Sequence, residues 1–343
     1  MKVNFLKKIF VCGIALGGFV AVALIVAYNS FYGKAVEDNY TIYITPQSNY
    51  DDFAAEIKGQ LSSSLKSKAF DIYASRLNLS ERLKAGHYVV GQGASVIKVV
   101  RMFALGEQTP VDVVVGGART LPQLAGRLSK QIMADSATLL KAMQDKQLRA
   151  SLGYKRDSLI AMFVPNTYQL YWTVSPKSLL ERMKRESDAF WNDSRRAKLK
   201  AAGLTQYQAM TLASIVYEET KNRGEMPRIA GVYINRLRKG IPLQACPTVK
   251  YAMGDFSLTR ILYKHLRYDS PFNTYRNAGL PPVPICIPSI AAIDAVLNYE
   301  KSDYLYFCAK PEFDGTHNFA RTLSEHNANS RKYNEALKKL KSK

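Results

Sequence analysis

An uncharged apolar run occupies residues 9–28, directly after Lys2, Lys7 and Lys8. A helix of that length, rising about 1.5 Å per residue, covers a bilayer core of about 30 Å, so the pattern predicts a membrane span. Ala21-Val22-Ala23 also offers a small-residue cleavage site. Cleavage there would leave Leu24-Ile25-Val26-Ala27 at the new terminus, and the run is longer than a usual signal core, so an uncleaved anchor is the favoured reading. Beyond a polar linker at 29–39, β-rich runs alternate with turns and helical runs: a strand at 40–44, a turn at 46–49 and a helix at 51–65, then a strand at 84–90 and a helix at 95–105. A third unit has a strand at 111–115, a turn at 116–120, and Leu121, Leu124, Ala125 and Leu128 at helical spacing. From Leu139 the texture becomes helical. Leu179, Leu180, Met183, Phe190 and Trp191 stripe a charged helix, and two more helices are expected at 206–220 and 226–238. Seven of the fourteen prolines then fall between Pro242 and Pro288. Their aromatic and apolar neighbours argue for a packed loop rather than a stiff linker. A strand at 304–309, a helix at 322–340 and a solvated lysine-rich tail close the chain.

Composition narrows the partners. The 343 residues are 47% hydrophobic and 22% charged, which excludes a disordered or fibrous chain and suggests about two folded units. Four cysteines in such a length do not make a disulfide scaffold. A net charge of +20 points to a polyanion: nucleic acid, an anionic membrane face or an acidic wall polymer. The anchor decides among these. Lysines before an apolar span stay in the cytoplasm and the remainder is exported, which removes nucleic acid.

The most suggestive acids are Glu218 and Glu219. A helix turns about 100° per residue, so Ala209, Leu212, Ala213 and Val216 form an inward stripe with Glu219 at its edge and Glu218 on the far, solvated side. Apolar packing would raise the pKa of Glu219 and keep it an acid, unless it pairs with Arg236 or Arg228 of the next helix. Both alternatives stand on spacing alone. On that next helix Gly231 permits close helix contact, and Arg236 could bind a ligand carboxylate or form a structural pair.

Six ordered blocks carry a resemblance: Ala213-Ser214-Ile215-Val216-Tyr217-Glu218-Glu219-Thr220, then residues 230–237, 243–251, 273–275, 279–282 and Glu325-His326-Asn327. With Pro165-Asn166-Thr167-Tyr168 and Gly315-Thr316-His317-Asn318-Phe319, they resemble MltG/YceG-type endolytic murein transglycosylases over nearly the whole chain. The resemblance implies a bitopic enzyme of the bacterial inner membrane, its carboxy-terminal part in the periplasm. Such an enzyme cuts glycan strands internally between N-acetylmuramic acid and N-acetylglucosamine and leaves 1,6-anhydromuramyl ends. The family's catalytic acid is the second of a Glu-x-Glu pattern. Here Tyr217 replaces the first and Glu219 matches the second. Two further departures are Cys246-Pro247-Thr248-Val249 for Asp-Pro-Thr-Val and Pro282-Val283-Pro284-Ile285 for Pro-Gly-Pro-Ile.

The expected fold is α+β: a cytoplasmic end at 1–8, a transmembrane helix at 9–28, a linker at 29–39, a LysM-like wall-binding module at 40–137 and a YceG-like catalytic domain at 138–343. Candidate sugar or peptide contacts are Asn235, Arg236, Gln244, Thr248, Tyr251, Asn273, Thr274, Tyr275, His317, Glu325 and Asn327, since hydroxyl-rich ligands need neutral donors, acceptors and aromatic faces. Each could equally stabilise a turn, Asn273, Thr274 and Asn327 above all. No metal or organic cofactor is expected. Glycan strands are the expected partner, with membrane lipid at the anchor and, by resemblance, penicillin-binding proteins or other wall synthases. A Cys246 nucleophile assisted by His317 has no reactive-cysteine motif behind it. Of the exported Cys246, Cys286 and Cys308, at most one pair can form a disulfide. Two rivals remain: a non-catalytic wall-binding scaffold, and a muramidase-type hydrolase using Glu325 or Asp314 as its second carboxylate.

Overall fold

A computed structural model describes residues 2–155, 158–258 and 260–341, without the side chains of residues 2–9 and 341. Met1 of the expected cytoplasmic end, Lys2, Lys7 and Lys8 as side chains, and residues 156, 157, 259, 342 and 343 of the expected catalytic domain therefore lie outside the described residues. The chain divides into two compact units, Met1–Asp112 with Gln169–Val174, and Val113–Tyr168 with Ser175–Lys343.

The first unit begins with helix α1 (Lys2–Tyr32), whose segment Phe10–Tyr32 has a mean hydropathy of 2.6 and no buried share. Strand β1 (Tyr40–Ile44) follows, then helices α2 (Tyr50–Gly59), α3 (Ser64–Arg76) and α4 (Leu79–Arg82), strand β2 (Gly86–Val90) and helix α5 (Val96–Leu105). β1 and β2 pair antiparallel, with Tyr40 opposite Val90 and Ile44 opposite Gly86. The two-residue period of a strand sends Ile42, Ile44, Tyr88 and Val90 inward. There Phe103 meets Phe53 at 4.8 Å and Tyr88 at 4.9 Å. The single helix expected over 51–65 is two. α2 stops at Gly59 because Leu61 is drawn into a bridge with Val36, and Ser63 then caps α3 by accepting from Lys66 N.

Strand β3 (Val111–Val115) pairs with strand β4 (Asn166–Leu170), and the second unit takes residues 113–115 of the one and 166–168 of the other; between them it has helices α6 (Leu121–Leu128), α7 (Ser136–Gln144) and α8 (Lys146–Ser151) and a 3₁₀ turn at Leu159–Met162. Helices α9 (Pro176–Phe190), α10 (Asp193–Ala202), α11 (Gln206–Glu219), α12 (Met226–Arg238), α13 (Cys246–Met253), α14 (Tyr263–Leu266) and α15 (Ile290–Leu297) come next. Strands β5 (Tyr306–Ala309) and β6 (His317–Ala320) form a hairpin, and α16 (Leu323–Lys341) packs against it.

Helix α11 is the centre of this unit. Every residue from Ala209 to Val216 is buried, enclosed by α12, α13, α15 and the proline-rich segment. Val283, Ile285, Cys286 and Ile287 lie buried in that segment, and Ile285 N donates to Ser214 Oγ at 3.0 Å. A single inward stripe therefore does not describe α11, and Glu218 is not a free surface charge: Arg119 Nη2 binds its Oε2 at 2.8 Å. Gly231 also has a different neighbour from the one expected. A Cβ there would stand 2.3 Å from the backbone oxygen of Glu300, in the segment after α15, rather than against a helix. Pro227 O accepts from Glu300 N at 2.9 Å and holds that approach. Gly231→Ala should consequently destabilise the fold by about 1–3 kcal/mol, read as a lowered melting temperature with α12 and the hairpin loosened together.

Candidate active site at the end of helix α11

Thr205 and Gln208 start α11 with a reciprocal capping box, and the helix runs to Glu219 before Thr220 turns extended. The half-buried side chain of Glu219 thus sits at the exit of a helix packed on all sides. Its Oε2 accepts a long hydrogen bond, 3.4 Å, from the hydroxyl of Tyr233 on α12. Among the described residues no ion pair holds it, so both arginines considered as partners go elsewhere. Arg228 Nε binds Glu300 at 2.9 Å, while Arg236 donates to Pro242 O, Leu305 O and Gln244 Oε1. Burial pushes the Glu219 carboxyl up, against the weaker opposing pull of His317, the Tyr233 hydroxyl and Lys250. Desolvation dominates, which favours the neutral acid.

The turn after α11 brings in an acid that the sequence reading missed. Asn222 orders the turn, accepting from Gly224 N at 3.0 Å, and α12 then begins behind Glu225 with Pro227 in its first turn. Glu225 accepts from His317 twice, Oε1 from the backbone N and Oε2 from ring Nδ1, both at 2.9 Å. A carboxylate can only accept, so this contact places the imidazole hydrogen on Nδ1. Phe307 packs edge-on against both the His317 ring and Tyr233, at 5.4 and 5.7 Å. On the other flank Cys246 Sγ lies 3.2 Å from the Tyr275 hydroxyl. Burial pushes the Cys246 thiol up, away from the reactive thiolate, and also raises the Tyr275 and Tyr233 phenols, which stay protonated donors. Among the described residues no three His, Cys, Asp or Glu side chains are grouped to hold a metal ion.

Residues 42–332 match the YceG-like family. The chain belongs to that family. It is 29% identical to the endolytic murein transglycosylase of Bacillus subtilis over 78% of this chain and 77% of the relative. A Streptococcus pneumoniae protein of the same name is 29% identical over 76% of this chain, which spans about half of that relative, 52%. The crystal structure of a YceG-like protein from Listeria monocytogenes superposes with a TM-score of 0.57 at 29% identity, covering 85% of this chain and 98% of the other.

Within the YceG-like framework the expected contact residues separate by position. His317 and Tyr275 flank Glu219, each acting electrostatically on it or on its charge. Tyr251 packs on Phe272 at 4.8 Å, on the wall of a neighbouring cleft. Gln244 is exposed and holds a left-handed φ of 52° while accepting from Arg236 Nη2 at 2.7 Å. The others tie the scaffold. Asn235 Nδ2 donates to Ser302 O and Tyr304 O; buried Asn273 Nδ2 donates to Leu266 O and Tyr268 O; buried Thr248 and Thr274 share a 2.8 Å hydroxyl contact. Arg236 is only 7% exposed, its fork spent on this loop network. Glu325 accepts from Arg321 N at the start of α16, and Asn327 is exposed on that helix. In the Glu325-His326-Asn327 block it is His326 that packs inward, stacked 5.4 Å from Tyr306. Asp314 closes its own turn by accepting from Thr316 N at 2.8 Å. Both suggested second carboxylates, Glu325 and Asp314, are exposed and close their own turns through one oxygen.

Two outcomes follow from the electrostatics. Raising the folded-state pKa of Glu219 above the ordinary 4.5 gives stability that is full below the unfolded pKa and lost as pH rises through the folded value. Glu219→Gln lacks that loss, so in a melting series the wild type's melting temperature should fall relative to the variant's as pH rises above the ordinary glutamate range. Nitrogen NMR of His317 should show the Nδ1-protonated tautomer. Glu225→Gln, which presents an amide donor, should weaken that preference.

Proposed function

We propose that this protein is a membrane-anchored endolytic murein transglycosylase in which Glu219 acts first as acid and then as base. The observation carrying the reading is the raised carboxyl of Glu219, the one carboxyl shifted upward among the described residues, set at a half-open helix exit beside neutral donors. Glu219 protonates the glycosidic oxygen between N-acetylmuramic acid and N-acetylglucosamine as the C1–O bond breaks. The same desolvation that kept the acid protonated makes its carboxylate a competent base. It takes the proton from the muramyl C6 hydroxyl as O6 bonds to C1, closing the 1,6-anhydro ring with no water consumed. A hydrolase would need a second carboxylate for water or for a covalent intermediate. Glu225, the other acid nearby, is engaged twice by His317 and serves to orient that ring.

Tyr233 steadies the carboxyl through its hydroxyl, and Lys250 offsets the charge that appears on Glu219 after proton donation. Such preorganised groups lower the cost of charge developing in the transition state. The anchor reading rests on α1. Phe10, Ile14, Phe19 and Leu24 are all more than half exposed, apolar surface that a lipid core would cover. In this reading α1 crosses the inner membrane with Lys2, Lys7 and Lys8 in the cytoplasm, and the rest works in the periplasm. Residues 40–137 act as a LysM-like wall-binding module and 138–343 as the catalytic domain; wall synthases such as penicillin-binding proteins are the proposed protein partners.

Mass spectrometry of peptidoglycan digested by the full-length protein tests the reaction. Anhydromuramyl ends within chains are expected from the wild type, with a loss of about 10³-fold or more in Glu219→Gln. Reducing ends would make the enzyme a hydrolase, and products unchanged by Glu219→Gln would move the active site. Wall binding without any product would leave a scaffold. The alkaline limb of the pH profile should also lie at higher pH than an ordinary carboxyl would set, because turnover begins with Glu219 protonated.

A further inference from the structure

A second charged feature lies in the same unit, apart from Glu219. A cleft of about 900 Å³ has Arg119, Lys146 and Arg149 on its wall, with Tyr251 and Phe272 providing an aromatic face. Arg119 is neutralised there by Glu218 at 2.8 Å. Arg149 is not. It is 7% exposed, its Nε and Nη2 reach only the backbone oxygens of Asp145 and Gln144, and its Nη1 is buried without any hydrogen-bond partner. Buried charges are ordinarily paired, because an unpaired ion loses its hydration with nothing in return. Lys146 stands three residues earlier on α8, on the same helical face, with its side chain exposed. The local excess of positive charge is therefore two, with one member deprived of solvent.

We propose that this cleft is a carboxylate-binding subsite that holds the peptide branch of the glycan strand, the carboxylate seated between Lys146 and Arg149. The assignment rests on the murein reading above, which supplies a sugar chain bearing carboxylated peptides. The guanidinium gains the counter-ion that the fold withholds, the ammonium of Lys146 adds a second charge from the solvent side, and the Tyr251–Phe272 face packs against the sugar or peptide stem. Arg119 links this cleft to the catalytic helix by binding Glu218, the residue before Glu219. A strand lying across both would be held by its branch while its glycosidic bond is presented to the acid.

The test is calorimetric and needs no turnover. The full-length protein in detergent is titrated with a GlcNAc–MurNAc disaccharide-peptide, which lacks the linkage that would be cleaved, and with the same compound carrying amidated carboxyls. The carboxylate form should bind about tenfold more tightly, and this preference should vanish in Lys146→Ala and in Arg149→Met and weaken with salt. Equal binding of the two forms, or a preference that survives in both variants, overturns the subsite. Stronger competition by inorganic pyrophosphate than by the peptide carboxylate also overturns it, assigning the charge to a lipid-linked phosphate. Should Arg149→Met fail to fold, the exposed Lys146→Ala decides alone. The digestion of peptidoglycan reports separately on the reaction, so a failed subsite and a failed murein reading give different results.

Discussion

A carboxyl group at the exit of a helix buried on every side has little water to stabilise its charge, and the rest of the site follows from that constraint. Helix α11 is enclosed by α12, α13, α15 and the proline-rich segment, so its last residue cannot swing free into solvent as a frayed helix end would. Two adjacent acids meet this environment differently. Glu218 has a guanidinium at 2.8 Å; Glu219 has the neutral hydroxyl of Tyr233 at 3.4 Å. One is held as a structural anion, and burial favours the neutral form of the other. Divergent surroundings for neighbouring titratable groups are how a fold separates such roles.

The polar residues surrounding this exit work mostly beneath the surface. Arg236 spans Pro242, Leu305 and Gln244, Asn235 gathers Ser302 and Tyr304, and Asn273 gathers Leu266 and Tyr268. Each joins segments too irregular to satisfy their own backbone groups, and a buried carbonyl left unpaired would cost about 1–3 kcal/mol. Loops carrying a site can be proline-rich and still rigid when side chains replace the missing ladder. The contacts of Arg236 with Gln244, and of Thr274 with Gln244 N and Thr248, hold the left-handed turn at Gln244 that precedes α13.

Much of this was legible in the chain. Strands β1 and β3, helix α12 and the start of α5 lie where β-rich and helical runs placed them. The wheel drawn on α11 put Glu219 at the margin of packing, where it lies half-buried. It misjudged Glu218 because a wheel assumes one inward face, and a helix packed all round has none. The short strands β4 and β6 were missed; Thr167, Tyr168 and Leu170 carried a β signal, whereas β6 gains its hydrogen bonds only by pairing with β5. Glu225 was out of reach for a different reason. Its partner His317 is 92 residues away, and nothing local distinguishes an acid before a helix from an ordinary helix-start charge.

Net charge and catalytic acidity place opposite demands on such a chain. A surplus of +20 would help to hold an anionic polymer, yet each cation brought near Glu219 would lower its pKa and discharge the acid. Lys250 and the His317 ring are the basic groups that act on Glu219, and Arg149 and Lys146 do not figure among them. Charges farther off than about 8–10 Å are largely screened at physiological ionic strength where solvent intervenes. Cations on a separate wall can therefore hold a substrate without disturbing the proton that the reaction needs. Arg119, the basic residue common to that wall and the catalytic helix, has its charge already cancelled by Glu218. The pairing that makes Glu218 a structural anion thus also offsets the charge of Arg119 beside the end of α11.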